Sequence, residues 1–403
     1  MSDYLSRRFA QLDNYLNTHR YYWQFDAFTL NACYPDFKGN QALVACLQSI
    51  DDVALKQYQQ DPALLFSLLK QAIPSLLAMD DALFTLENKQ KVAAEQLPFW
   101  LQTGIKGRKW TQILQFSEHI DNHFPVLEWC AGKGHLGRLV HYKRQTSVHS
   151  VEWNAALCTQ GQALAKQQQA KQTFSQSNVL NGEADHFLQQ QQHAVALHAC
   201  GDLHAHLITQ VKKQQTAKVS ISPCCYHLTQ QQNYQALSLQ ASTSELMSSG
   251  GISKQDLKLA VAKQSRWNEK QTQLNDQEVW WRLSFDCLQQ AKLKTAQYLN
   301  VPSFPKTLLS ASFKDFVAWV IEAKKLPIEM PADLSQYLAL GAQRLHCLRR
   351  CELLTQFFSR PLELWLVYDR ALSLQEADYD VDIFNFCDST VSPRNIMIQG
   401  SWR

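Results

Sequence analysis

Residues 125–137 read Pro-Val-Leu-Glu-Trp-Cys-Ala-Gly-Lys-Gly-His-Leu-Gly, and this stretch predicts the fold. An apolar run from Val126 carries one acid, Glu128, and breaks at the glycines before a segment of helical character. A second apolar run, 148–151, ends in Glu152. Strand, glycine turn, helix, strand and acid form the first half of a nucleotide-binding α/β unit. Because an acid at that point can accept both hydroxyls of a ribose, we expect a cofactor that contains adenosine.

The length and composition indicate which classes of protein the sequence can belong to. The 403 residues suggest two or three domains, or one enlarged domain. The 39 basic and 36 acidic residues give a net charge of +3, which does not favour a strongly basic nucleic-acid binder but allows a local basic face. The N-terminus lacks the apolar run of a signal peptide, and no apolar stretch approaches the ~18 residues of a membrane span. Eleven scattered cysteines indicate reduced thiols, so we expect a cytoplasmic protein without a membrane partner.

The first 120 residues show helical periodicity and almost no strand signal. Residues 63–69 are an example, in a helix expected to continue past Pro74, and residues 91–100 are another. A glycine-rich basic turn, 104–110, precedes a helix expected over 111–120. This turn is compatible either with contact to a ligand or phosphate or with a solvated helix start.

Strands and helices alternate after residue 125, which is typical of a parallel doubly wound sheet. The predicted strands are 126–131, 147–151, 173–177, 194–198 and 218–222, and the helices between them include 155–169 and 205–212. Residues 230–360 are again mostly helical, and a long helix from about Leu338 is interrupted near Pro361 and resumes to Glu376. Residues 381–386 and 395–399 predict a terminal β-hairpin.

The fold class predicted from these patterns is α/β, a doubly wound, mostly parallel seven-stranded sheet closed by a β-hairpin. Three parts are expected: a helical N-terminal region (1–120), the α/β domain (121–230 and 340–403), and a helical insertion (231–339).

Two cofactors fit the glycine turn. Gly132-x-Gly134-x-x-Gly137 literally matches the dinucleotide fingerprint, which would indicate NAD. An acid inside the first strand, a small residue at position 130, Glu152 after the second strand and Asn178 after the third favour S-adenosylmethionine instead. These polar groups suit its methionine amine, its ribose and its adenine edge in turn.

Four ordered motifs resemble a known family. They are Glu128-Trp-Cys-Ala-Gly-Lys-Gly-His-Leu, Leu197-His-Ala-Cys-Gly-Asp-Leu203, Ser222-Pro-Cys-Cys-Tyr-His227 and Ser392-Pro-Arg-Asn395, and Asp369-Arg370 also fits. The chain resembles, over roughly 105–228 and 340–400, the class I methyltransferase domain of glutathione S-transferase C-terminal domain-containing protein. The same domain occurs in methyltransferase-like proteins once named as rRNA adenine dimethylase domain-containing, and more distantly in the tRNA acceptor-stem 2′-O-methyltransferase. The zinc module of that tRNA enzyme has no counterpart in this sequence.

The resemblance implies a set of donor-binding residues at the carboxyl ends of the strands. Glu128 and the turn would hold the methionine part, Glu152 the ribose, Trp153 and Asn178 the adenine, while His198 and Cys200 would border the donor. The full expected set is Glu128, Cys130, Ala131, Gly132, Lys133, Gly134, Glu152, Trp153, Asn178, Val179, His198 and Cys200.

Three residues are candidates for catalysis, because the donor is already activated and the protein must align the acceptor and remove a proton. His227 is the preferred general base, since imidazole titrates near neutral pH. Tyr226 and Asp202 are further candidates, each with the alternative of only ordering its loop. Cys200, Cys224, Cys225 and His227 are expected to be structural rather than a metal site, because adjacent cysteines do not easily reach one tetrahedral ion.

The predicted function is therefore an S-adenosylmethionine-dependent methyltransferase. RNA, either tRNA or rRNA, is one expected acceptor. A protein or small-molecule acceptor is the alternative that the modest net charge favours. A NAD-binding or non-catalytic module is a third hypothesis, and the sequence predicts no oligomeric state.

Overall fold

The computed structural model describes residues 2–30, 33–90, 97–264 and 269–403. Its α-helices are α1 Ser2–Thr18, α2 Gln41–Gln48, α3 Asp52–Gln60, α4 Pro62–Ala72, α5 Phe99–Gln102, α6 Gly107–Ser117, α7 His135–Arg144, α8 Ala155–Gln167, α9 Asp202–Gln214, α10 Leu239–Ser242, α11 Glu245–Ser248, α12 Glu269–Leu293, α13 Phe313–Lys324, α14 Ser335–Gln356 and α15 Ser359–Gln375. Short 3₁₀ segments lie at Arg20–Tyr22, Phe37–Gly39, Ala82–Phe84, Val179–Asn181, Asp185–Phe187, Asp256–Gln264 and Lys306–Ser310.

Seven strands form one sheet in the order β3-β2-β1-β4-β5-β7-β6. They are β1 Val126–Trp129, β2 Val148–Glu152, β3 Gln172–Gln176, β4 His193–Ala196, β5 Lys218–Ile221, β6 Tyr379–Asn385 and β7 Ile396–Trp402. The first five pair in parallel, and β7 runs antiparallel to both β5 and β6. The predicted fold class is confirmed, and each predicted strand is found with its ends shifted by no more than three residues.

Burial explains why the strands have their sequences. β1 and β4 are buried at every position, as expected for central parallel strands covered on both faces. The edge strand β6 alternates instead: Tyr379, Val381 and Ile383 are buried while Asp380 and Asp382 are exposed. That alternation gives β6 one core face and one solvent face.

By its contacts the chain divides into two compact units. The first comprises Met1–Thr18, Asp80–Gln264 and Ser359–Arg403, and the second comprises His19–Met79 and Ser265–Phe358. These units cut across the three predicted parts, because the N-terminal region and the predicted insertion each contribute to both.

The first unit contains the sheet and a long buried helix. In α15, Trp365 packs against Phe9 of α1 with ring centroids 5.1 Å apart and the rings tilted by 43°, and its indole N–H donates to Asp13 at 2.8 Å. The predicted interruption near Pro361 is confirmed: α14 ends at Gln356, and α15 begins at Ser359 with Pro361 in its first turn.

The second unit is helical, and α12 packs along α14. Arg344 on α14 pairs with the buried Asp286 of α12 at 2.5 Å. A disulfide joins Cys33 to Cys347, whose Cα atoms lie 5.3 Å apart, within the range that a disulfide spans. The expectation that all cysteines are reduced thiols is therefore wrong, because the fold brings together two cysteines that are 314 residues apart in sequence.

Two N-terminal predictions need correction. The helix expected to pass Pro74 ends at Ala72, and Ile73 leaves the helical region at φ −129° and ψ 81°. The segment 91–100 lies partly outside the described residues, and its described end forms only the short α5. Among the described residues, no helix combines the length and apolar character needed to cross a membrane.

Candidate functional site

The turn after β1 has the backbone geometry of a close-approach loop. Cys130, Gly132 and Gly134 have φ values of 57°, 59° and 64°, in the left-handed region that favours glycine. A Cβ atom placed on Gly132 would meet no other side chain or backbone atom of the described residues within 4 Å. This open space beside a bare backbone fits the approach of a ligand. Ala131 and the exposed Lys133 complete the turn.

Gly134 and Gly137 allow close packing against side chains of the sheet. A Cβ atom on Gly137 would lie 2.5 Å from Glu128 Oε2 and 2.9 Å from Val148, and would collide with the Gln172 amide. Gly134 faces the same Gln172 amide and the ring of Phe174. The third glycine of the fingerprint therefore lets α7 approach the sheet closely, which is its role in nucleotide-binding turns.

Glu152 joins the end of β2 to the turn. Its Oε2 accepts a hydrogen bond from the Gly132 backbone N–H at 2.9 Å, and its Oε1 accepts one from Asn154 N–H at 3.0 Å. Glu152 is only 6% exposed, whereas the adjacent Trp153 is 70% exposed. An indole left this open beside the acid fits a stacking surface for a base.

Glu128 lies beneath the turn in a buried polar cluster. Its Oε2 accepts hydrogen bonds from Ser150 at 2.7 Å and Gln172 at 3.2 Å. Burial raises the pKa of Glu128 to about 7, against the opposing effects of the Ser150 hydrogen bond and the Arg138 charge. The carboxyl therefore links β1, β2 and β3, and its predicted contact with a methionine amine stays a prediction.

The end of β3 holds the predicted adenine-binding pair. Asn178 accepts a hydrogen bond from Leu180 N–H at 3.1 Å, and its own backbone N–H donates to Glu183 at 2.7 Å. Val179 is buried beneath it. Asn178 is half-buried, so its side chain begins the 3₁₀ turn Val179–Asn181 at the edge where the strands end.

The loops after β4 and β5 interlock. Cys200 and Cys224 form an isolated parallel bridge, and Gly201 N–H donates to the Cys224 carbonyl at 3.0 Å. Gly201 has φ 56°, and a Cβ there would collide with the Leu228 carbonyl. Asp202 accepts a hydrogen bond from Gln230 N–H at 2.8 Å. Asp202 thus orders the second loop, which is the alternative considered for it.

Three sulfur atoms meet between these loops. The Sγ atoms of Cys200 and Cys224 are 3.3 Å apart, and those of Cys200, Cys224 and Cys225 all lie within 4.8 Å of one another. Adjacent cysteines, contrary to expectation, do bring their sulfurs close to a third one here. Cys225 has φ 47°, a left-handed conformation that redirects its side chain.

The two catalytic candidates after Cys225 occupy different environments. Tyr226 is 2% exposed, and burial raises the pKa of its phenol well above the ordinary value. The phenol therefore stays protonated near neutral pH and cannot accept a proton. His227 is half-buried, and burial lowers its pKa, so its imidazole is neutral at pH 7. Its Nδ1 has no hydrogen-bond partner among the described residues.

A buried network of hydrogen bonds around Arg370 contacts Tyr226, and the sequence did not predict it. Arg370 lies 4.8 Å from the Tyr226 ring centroid and donates to His204 Nε2 at 2.7 Å and to Tyr234 at 3.0 Å. Asp369 accepts from Tyr234 and from Ser238. The adjacent charged residues Asp369 and Arg370 in a mostly apolar helix were the available signal, but their partners are distant in sequence.

Arg394 lies in the turn between β6 and β7. Its Nη2 lies 3.4 Å from Cys225 Sγ. The turn that carries Arg394 is held by Gln112, which donates to Ser392 at 3.0 Å and to the Arg394 carbonyl at 3.1 Å. The hairpin turn therefore reaches the loop after β5, as expected for the motif 392–395.

The remaining predicted donor neighbour, His198, lies at the end of β4. Burial lowers its pKa to about 4, and the charges of Lys109 and Arg394 act in the same direction. Burial raises the pKa of the Cys130 thiol, and the charges of Glu152 and Cys200 raise it further. The structure thus gathers the glycine turn, Glu152 and the Cys200 loop at one edge of the sheet.

A polar cavity of about 670 Å³ lies elsewhere in the first unit. Its lining includes Lys218 at the start of β5, which pairs with Asp121, and Lys143, which pairs with Glu118. Ligands of open α/β sheets bind at the carboxyl ends of the strands, so this cavity is not the donor site.

Comparison with protein families gives one match. Residues 108–232 match the model of a methyltransferase domain. This range runs from α6 to beyond β5 and contains every predicted donor-binding residue. No curated protein matches the sequence significantly.

Several solved structures are similar over short parts of the chain. Geranyl diphosphate C-methyltransferase from Streptomyces coelicolor A3(2) is 12% identical, over 34% of this chain and 53% of that chain, with a TM-score of 0.26. TrmK from M. capricolum is 11% identical, over 27% and 50%, with a TM-score of 0.23. An rRNA methylase from Streptococcus thermophilus is 12% identical, over 29% and 71%, with a TM-score of 0.24. The chain spans about half the length of the first two.

The family match, the strand order and the glycine turn agree with one another. Residues 108–232 match the model of a methyltransferase domain, and the strand order of the sheet agrees with that match. The match does not support the alternative of a NAD site, and S-adenosylmethionine stays the predicted donor.

Proposed function

We propose that this domain transfers the methyl group of S-adenosylmethionine to an RNA. The observation that carries the proposal is the sign of the charge around the site. Burial lowers the pKa values of His135, His198 and His227, and neighbouring lysine and arginine side chains lower them further. A phosphate backbone is the acceptor that such an edge attracts.

The cations come from four separate elements of the first unit. Lys109, in the basic turn at the start of α6, and Lys133, in the glycine turn, are exposed near His135. Lys254 and Lys258 approach His227 from the other side, and Arg394 reaches it from the hairpin turn. The net charge of +3 does not reveal this local group of cations, which lies near the acidic residues Glu152 and Asp202 of the same edge. Phosphate contacts of this kind would orient a strand without reading its sequence.

The residues at the edge would divide the work of transfer. S-adenosylmethionine supplies an activated methyl group when it is bound. The turn 130–134 would hold its methionine part, Glu152 the ribose hydroxyls, and Trp153 with Asn178 the adenine. His227 would accept the proton of the acceptor, since its neutral imidazole has an Nδ1 without a hydrogen-bond partner among the described residues. Tyr226, held by Arg370, would position the loop rather than titrate.

The resemblance to the tRNA acceptor-stem 2′-O-methyltransferase supports a tRNA among the possible acceptors. A protein or small-molecule acceptor is the second candidate, and the modest net charge of the whole chain is the observation that favours it.

Transfer of a labelled methyl group tests the proposal. The purified chain is incubated with S-adenosylmethionine carrying a tritiated methyl group and with a cell extract, and the product is treated separately with ribonuclease and protease. We expect label that ribonuclease releases and protease does not. Label released by protease, or label in the small-molecule fraction, would contradict RNA as the acceptor.

RNA binding gives a second measurement, with a matched pair of charge reversals. Lys258→Glu removes an exposed cation beside His227, and Lys314→Glu changes an exposed lysine of the second unit. We expect the first to weaken RNA binding and the second to leave it unchanged. Binding should also fall steeply with added salt. A chain that binds the donor but shows no salt-sensitive RNA binding would refute the acceptor and leave the donor assignment intact.

A further inference from the structure

The three cysteines between the loops after β4 and β5 have no shared role in the chemistry described above, although Cys200 is also expected to border the donor. The Sγ atoms of Cys200, Cys224 and Cys225 lie within 4.8 Å of one another. Thiolates that bind one tetrahedral zinc ion at about 2.3 Å are separated by a little under 4 Å. The spacing of the three sulfurs is thus close to that of three ligands of a single ion.

Three features of the backbone hold the cluster in place. The bridge between Cys200 and Cys224 fixes the two loops against each other. Gly201, which tolerates φ 56°, allows the loop after β4 to approach Leu228. Cys225 adopts φ 47°, which costs free energy for a residue with a side chain. The result is that two adjacent cysteines direct their sulfurs toward the same point as Cys200.

The charges around the cluster suit an anionic metal–thiolate centre. Three thiolates and one divalent cation carry a net charge of −1, and the Arg394 guanidinium lies 3.4 Å from Cys225 Sγ, where it can offset that charge. Two imidazoles stand in the adjoining loop residues, and His198 Nε2 and His227 Nδ1 each have no hydrogen-bond partner among the described residues. Neither nitrogen belongs to the group of ligand atoms within 4.8 Å of one another, so a water molecule would complete the coordination.

We propose that Cys200, Cys224 and Cys225 bind a thiophilic d¹⁰ cation, Zn²⁺ or Cu⁺, that joins the two loops bordering the donor site. Soft thiolate ligands select these ions over magnesium or calcium. Cys130 of the glycine turn lies close enough to Cys200 to influence it electrostatically, so the ion would lie beside the wall of the donor site. This inference does not depend on the acceptor or on transfer activity.

Metal analysis of the intact chain tests the proposal directly. The protein is purified with a reductant and without a chelator, and zinc and copper are measured by mass spectrometry. We expect roughly one equivalent of one of these ions per chain. Less than about a tenth of an equivalent of both, also after incubation with each ion and removal of the excess, would overturn it.

Cobalt substitution identifies the ligands. Co²⁺ bound by thiolates gives intense near-ultraviolet charge-transfer bands. We expect these bands in the unaltered chain, their loss or clear reduction in Cys200→Ser and Cys225→Ser, and no change in the control Cys46→Ser, a free and half-buried thiol of the second unit. Circular dichroism shows whether each variant folds. Absence of thiolate bands in the folded, unaltered chain, or isolation of the reduced-buffer protein with a Cys200–Cys224 disulfide, would refute the metal site.

Discussion

The carboxylate of Glu152 accepts a hydrogen bond at 2.9 Å from the backbone amide of Gly132, twenty residues earlier in the chain. Its other oxygen accepts from Asn154 N–H at 3.0 Å, at the start of α8. Each oxygen of a carboxylate has more than one acceptor site, so the group can hold the turn and still receive two ribose hydroxyls. One side chain therefore fixes the conformation of the turn and presents a ligand group beside it.

Replacing Glu152 with Ala should weaken S-adenosylmethionine binding by roughly ten- to a hundredfold, since hydrogen bonds to a charged group contribute about 1.5–3 kcal/mol. Isothermal titration calorimetry measures the change, with NAD titrated in parallel. Glu87→Ala, an exposed acid of the same unit, is the control and should bind normally. Unaltered affinity in Glu152→Ala would refute the ribose assignment, and binding of NAD alone would refute the donor.

Trp153 offers an independent test of the adenine position. Because its side chain is 70% exposed, Trp153→Ala should leave the unfolding temperature nearly unchanged. Donor binding should weaken by roughly five- to a hundredfold, from about 1–3 kcal/mol of lost stacking. Phe99→Ala removes a side chain that is 84% exposed and should alter neither property. Equal affinities of the two variants for S-adenosylmethionine would place the adenine away from Trp153.

The sheet could be predicted because the sequence patterns that mark its strands and its glycine turn are short and local. Most strands contain a short apolar run, although β3 does not, and the acid, the glycine turn and the second acid lie within 25 residues of one another. The predicted residues Gly132 and Glu152 are in direct contact, as the pattern required.

Other features depend on contacts that sequence patterns do not reveal. Arg370 bonds to His204 across 166 residues, and Cys33 bonds to Cys347 across 314. The cysteine cluster was missed for a different reason: spacing rules assume ordinary backbone conformations, and Cys225 adopts a left-handed one. The helix expected to pass Pro74 ended earlier because apolar periodicity alone does not mark where a helix stops.

The packing role of Gly137 predicts a stability effect. Gly137→Ala introduces a methyl group that would collide with Gln172 and approach Glu128 and Val148, so we expect a loss of about 1–3 kcal/mol in the free energy of unfolding. Gly107→Ala, at the start of α6, places the same methyl group where no described neighbour lies within 4 Å and should be neutral. Urea unfolding compares the two. Equal stability of both variants would mean that α7 can move away from the sheet without cost.

The two neighbours Tyr226 and His227 should differ in catalysis. His227→Ala should reduce methyl transfer at least a hundredfold, the order of a lost general base, while donor affinity is retained. Tyr226→Phe removes only a buried hydroxyl that has no hydrogen-bond partner among the described residues, and should keep transfer within severalfold. Labelled transfer into RNA measures both. If Tyr226→Phe abolishes transfer and His227→Ala does not, the base has been assigned to the wrong residue.

The buried carboxyl of Glu128 predicts a specific dependence of stability on pH. Burial raises its pKa from an ordinary value of 4.5 to about 7, so the folded chain binds a proton that the unfolded chain releases between these values. The contribution of Glu128 to the free energy of unfolding is therefore fully present below about pH 4.5, falls as the pH rises, and levels off above about pH 7. At about 1.4 kcal/mol per pH unit the total change is about 3 kcal/mol.

The variant Glu128→Gln tests this expectation because its side chain is uncharged at every pH. The free energy of unfolding of both proteins is measured in urea, without donor, from pH 5 to 8. The unaltered chain should lose stability relative to the variant as the pH rises. Buried histidines such as His193, whose pKa burial lowers to about 4, act with the opposite sign but equally in both proteins, so they cancel in the difference. A difference that is constant with pH would show that Glu128 is ionised in the folded chain over this whole range, paired with a cation such as Arg138.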